Sequence, residues 1–136
     1  MRVLSLLLLL NGIAVLSVSA ASGLILWRVL AKNENGADWH LVHASGTARG
    51  ILLIALAPVT SLLVLPVSLA TLAVCLLILF VWCSLTAMLV RASSGSKGFD
   101  HRGSLSNRIG FGLYAIGVVA LFPGLAILFL GFAMAL

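Results

Sequence analysis

His40 and His43 lie three residues apart, with Glu34 and Asp38 just before them. On a helix, residues at that spacing share one face. Imidazole nitrogens and carboxylate oxygens gathered in this way make half of a metal site. The other half would be His101 and Asp100, from a second polar stretch expected on the same side of the membrane. The spacing is generic and requires two loops to converge, so these groups read better as polar residues solvating a membrane surface. No metal centre is expected.

His43 suggests a second chemistry, ligation of a haem or a chlorophyll-type pigment, because it lies just outside an apolar run. A bis-histidine haem would need a second intramembrane histidine on another helix, and the sequence has none there. The aromatic content of 7% offers no sign of a ring-lined pocket. No cofactor is therefore expected, with a single-ligand pigment or haem on His43 as the alternative.

Two arginines stand at the edges of apolar runs. Arg49 is expected to open a second helix and Arg108 a fourth, each snorkelling to lipid headgroups or meeting an acidic partner. The stretch 93–98, Ser-Ser-Gly-Ser-Lys-Gly, has neither a Walker pattern nor a preceding strand, so it reads as a linker. There is no Ser–His–Asp set, no Cys–His pair and no paired carboxylates. No Asp, Glu or Lys falls inside an expected span, whereas ion-coupled carriers place an ionisable group there. By these criteria the chain is not expected to be an enzyme.

The elements that must position these residues follow from composition. Of 136 residues, 62% are hydrophobic and only 8% charged, and the mean hydropathy is +1.27. A soluble domain of this size carries roughly a quarter charged residues, so the solvent here is lipid. The net charge of +5 is spread over short connections. Nucleic acid needs a clustered basic face, and its absence leaves membrane lipids and other membrane subunits as expected partners.

The fold class expected is all-α: a polytopic membrane protein with four transmembrane helices in a small bundle and a single domain. The spans expected are 3–27, 46–65, 67–90 and 109–135, with polar loops 28–45 and 91–108. The start resembles a signal peptide, but its apolar run continues to Trp27 and is long enough to span as a retained helix. The uncharged stretch 50–90 would reach roughly 60 Å as one helix, about twice the hydrocarbon thickness. It must therefore fold back, at Pro66 or near Pro58. Cys75 and Cys83 would lie about 12 Å apart along one helix, too far to bridge.

With four spans, both termini and the Pro66 turn share a side that holds Arg2 as its basic residue. The other side holds Arg28, Lys32, Arg49, Arg91, Lys97, Arg102 and Arg108. The positive-inside rule then puts both polar loops in the cytoplasm, both termini outside, and the chain in a bacterial or organellar inner membrane.

One pattern stands out. Gly110, Gly117, Gly124 and Gly131 recur every seven residues in the last span. Such a row drifts slowly around a helix and lets a partner backbone approach closely. Ser5, Gly12 and Ser19 repeat the spacing in the first span, so the first and fourth helices are expected to pair. Together these features favour a non-catalytic accessory or scaffold subunit of a larger respiratory, photosynthetic or transport complex. Two alternatives stand beside it: a small self-assembling channel, carrier or membrane-permeabilising protein, and a pigment- or haem-binding subunit using His43.

Overall fold

The computed structural model describes residues 2–95 and 103–135. It contains four helices, each long and apolar enough to cross a membrane. These are α1 (Arg2–Ala31), α2 (Ala37–Val59), α3 (Val67–Ser94) and α4 (Leu105–Ala133). The chain is a four-helix membrane bundle, as its composition requires.

Local chemistry explains where the helices stop. At the end of α1, Asn33 takes the left-handed conformation, φ 56°. Glu34 N–H then donates to Val29 O at 3.2 Å, and Asn33 N–H to Leu30 O at 2.9 Å. This is the paired-bond closure that a left-handed residue makes possible at a helix C-terminus. Gly95, φ 65°, ends α3 in the same backbone region. Ser104 caps α4, its hydroxyl accepting from Asn107 N–H. The fold-back between α2 and α3 uses both expected prolines: α2 ends just past Pro58, a 3-10 turn covers Thr60–Leu62, and Pro66 immediately precedes α3.

Two boundaries differ from those expected. The second helix begins at Ala37 rather than near residue 46. Polarity over residues 37–45 reads as loop, yet these residues have good partners. Asp38 forms an ion pair with Arg91 of α3 at 3.0 Å, and Asp38 also suits the positive end of the α2 dipole. The fourth helix begins at Leu105 rather than near 109. His40, His43 and Arg49 consequently belong to a membrane-spanning helix.

Packing proceeds by hairpins. α1 packs on α2 and α4 on α3, and the two pairs meet chiefly through α2 and α3. α1 and α4 share no substantial contact among the described residues. The expected pairing of the first and fourth helices is thus corrected: each small-residue row faces its own hairpin partner. Chain neighbours joined by short connections meet first, and lipid gives no hydrophobic drive toward a more distant choice. A Cβ on Gly12 would lie 2.9 Å from Gly50 O of α2. One on Gly117 would lie 3.3 Å from Phe80 O of α3, and one on Gly124 3.3 Å from Leu76 Cβ. Gly131 instead seats Leu63 and Leu65 of the fold-back. Gly110 is also buried. Leu8, Val15, Leu53, Leu77, Val81 and Leu85 fill the centre.

Candidate functional site

Toward the loop end, α1 and α2 are joined by hydroxyl and imidazole hydrogen bonds rather than by hydrocarbon alone. Ser19 is fully buried, and its hydroxyl donates to His43 O at 2.6 Å. It also bonds the Thr47 hydroxyl at 2.8 Å, and Thr47 reaches the same His43 carbonyl at 2.8 Å. Ser22 donates to Ser19 O at 2.7 Å. The small-residue row on α1 is therefore both a packing surface and a polar track, since Ser5 likewise bonds Thr60 at 2.7 Å.

The His43 ring is oriented by this track. Its Nδ1 lies 2.8 Å from Ser19 O. A backbone carbonyl only accepts hydrogen bonds, so Nδ1 carries the proton and donates. In the neutral ring Nε2 is then the nitrogen with the free lone pair. The ring lies over Gly23, where a Cβ would come within 2.9 Å of Nδ1 and 3.0 Å of Cε1. Serine above and glycine below make a cradle that a larger residue at position 23 would fill. His40, one turn earlier on α2, is exposed and makes no side-chain hydrogen bond among the described residues. His101 lies outside the described residues.

The other notable side chain is Arg49. It stands twelve residues inside α2, roughly 18 Å from the start of the helix, and so does not open the helix as expected. Its guanidinium carbon lies 5.6 Å from the centre of the Phe80 ring, and Nη1 donates to Met88 Sδ at 3.7 Å. An ionisable side chain inside a candidate spanning helix is read as functional by default. No ion pair to Arg49 occurs among the described residues. Arg108, by contrast, sits exposed in the first turn of α4. On α1, Asn11 accepts from Trp82 Nε1 at 2.9 Å, tying the first hairpin to the second.

Sequence reasoning singled out His43 and Arg49 but left His43 outside the second helix and set Arg49 at its start. It treated Ser19 as a packing residue and missed the roles of Ser19 and Gly23 beside the imidazole. The usable signal was their distance along α1: four residues, one helical turn, enough to hold an imidazole from two levels.

No curated protein and no solved structure matches the chain. The model of one family, described as SOI: Styrene oxide isomerase, matches residues 4–133. That match overturns the expectation of a non-catalytic accessory or scaffold subunit, and with it the expectation that the chain is not an enzyme. The search for paired carboxylates and nucleophile–base pairs looked for hydrolytic machinery, and isomerisation adds no water and needs no nucleophile. Matched over almost its whole length, this chain belongs to the styrene oxide isomerase family.

Proposed function

We propose that this chain isomerises an aryl epoxide to a carbonyl compound within the membrane, with His43 holding the electrophile. The observation that carries the reading is the family match, and the oriented His43 imidazole supports the site. In such a reaction the strained C–O bond next to the aromatic ring breaks, leaving a benzylic cation. A hydride moves from the neighbouring carbon, and that carbon's retained oxygen becomes a carbonyl. Every atom of the substrate is kept, and no oxidant, reductant or water takes part.

Two conditions govern the outcome. An acid must draw electrons from the epoxide oxygen, and water must be excluded, because water would trap the cation as a diol. A lipid-embedded bundle meets the second condition and concentrates an apolar epoxide beside it. For the first, neutral His43 with Nδ1 tied to Ser19 O cannot donate from Nε2, but it can ligate. Among the described residues no three His, Cys, Asp or Glu gather to hold a bare metal ion. A single oriented imidazole fits a centre that brings its own remaining ligands, as haem does, and the cradle residues fit that role. Bound there, haem iron would supply Lewis acidity toward the epoxide oxygen. Within that scheme Ser19 and Gly23 set the angle of the ring, and the apolar helices keep water away.

The test uses purified protein and styrene oxide. The expected products are arylacetaldehyde without diol, together with a visible absorption band, and His43→Ala loses both. Full activity in His43→Ala would remove the residue from the reaction. A colourless protein that isomerises only with His43 intact would leave proton donation as its role.

Orientation belongs to the same reading. The polar connections face the cytoplasm, because the basic residues concentrate there.

A further inference from the structure

Arg49 lines a cleft of about 310 Å³ together with Ser45, Ala48, Leu52 and Phe80. The cleft lies among residues of α2 and α3, and its walls are mostly apolar. Its two polar side chains are both donors. The Arg49 guanidinium meets a thioether, Met88 Sδ at 3.7 Å, and an aromatic face, Phe80 at 5.6 Å, and the Tyr114 hydroxyl of α4 acts on it electrostatically. None of these is a carboxylate or a phosphate. The Ser45 hydroxyl makes no hydrogen bond among the described residues. Ser17, Thr47 and Thr71 each bond the carbonyl one turn earlier, as hydroxyls in membrane helices ordinarily do. Ser45 and Arg49 are four residues apart on α2 and so project from the same face.

The walls narrow the ligand. The guanidinium lies between the levels of Phe80 and Met88 on α3. Ala48, Leu52 and Phe80 make the rest of the cleft apolar, so the ligand must carry its own apolar body. We propose that this cleft is an anion site that takes the carboxylate or phosphate end of an apolar, bilayer-soluble molecule. The guanidinium fork pairs with two oxygens, Ser45 donates to one of them, and Leu52 with Phe80 covers the hydrocarbon portion. On α2 the cleft points about 120° around the axis from His43. The proposal is therefore independent of the isomerase reading and is measured by binding alone.

The probe is radiolabelled decanoate, bound to full-length protein in neutral detergent and read by scintillation proximity. Unlabelled decanoate should displace it and decanol should not. Arg49→Gln should weaken binding about tenfold or more, because a charge-assisted bond is lost. Ser45→Ala should weaken it about threefold, the loss of one neutral hydrogen bond. Arg49→Lys keeps the charge without the fork and should fall between wild type and Arg49→Gln, so the proposal stays testable should Arg49→Gln fail to fold. Phosphatidylglycerol is the second arm: Arg49-dependent binding of that lipid, in place of decanoate, assigns the site to a phospholipid headgroup. Decanol competing as well as decanoate would overturn the proposal, as would unchanged binding of both anions in Arg49→Gln.

Discussion

His43 is held by a carbonyl on one side and by the bare backbone of Gly23 on the other. The two supports can be separated by mutation. Gly23→Ala places a methyl group 2.9 Å from Nδ1, so the ring must swing away from Ser19 O. We expect this change to lower isomerase activity and any visible absorption band together, with unfolding temperature nearly unchanged, because the methyl meets a movable ring and not backbone. Gly112→Ala is the matched control, since a Cβ there has nothing within 4 Å; activity and stability should both match wild type. Ser19→Ala keeps the carbonyl that orients Nδ1 but loses the buried hydroxyl's bonds to His43 O and Thr47. It should therefore cost about 1 kcal/mol of stability while retaining the spectrum.

At the scale of elements, the hairpin contacts differ in how tightly they are closed. α1 and α2 approach until Gly12 and Gly50 face each other's carbonyls, and a Cβ on Gly12 would also come 2.6 Å from Ile54 Cγ1. Backbone cannot give way as a side chain does, so Gly12→Ala should destabilise by about 1–3 kcal/mol, read as a lower unfolding temperature in detergent. Gly117→Ala should cost less, because its nearest obstacle is at 3.3 Å. The ion pair between Asp38 and Arg91 joins α2 to α3 with side chains 37% and 30% exposed. In that setting Asp38→Asn should cost no more than about 1 kcal/mol, less at high salt. The glycine rows were legible in the sequence because a period of seven does not depend on the partner. The partner itself was not legible, since both small-residue rows would fit each other equally well by spacing.

For the whole molecule, the four-helix membrane class followed from composition, because no soluble surface can be built from so few charges. The start of α2 was obscured by residues 37–45, whose polarity has local causes: the Asp38 ion pair and the hydroxyl track to Ser19. The same misjudgement hid the chemistry, for it left His43 outside the second helix and set Arg49 near its start. Orientation is tested at this scale. In a Cys75→Ser, Cys83→Ser background, Lys32→Cys sits in the connection after α1 and should react with an impermeant thiol reagent only in inside-out vesicles. Labelling in intact cells would reverse the orientation.

Every contact described for the His43 side chain comes from α1 or its own helix. During synthesis that hairpin leaves the ribosome before α3 and α4 have emerged. The imidazole cradle can thus be complete in a half-made protein, and a cofactor able to dock there could do so while translation continues. A chain divided in the fold-back after Leu65 and expressed as two pieces should carry the His43 chemistry wholly on the first. The second piece would supply the far wall of the Arg49 cleft and the Trp82 bond that joins the halves.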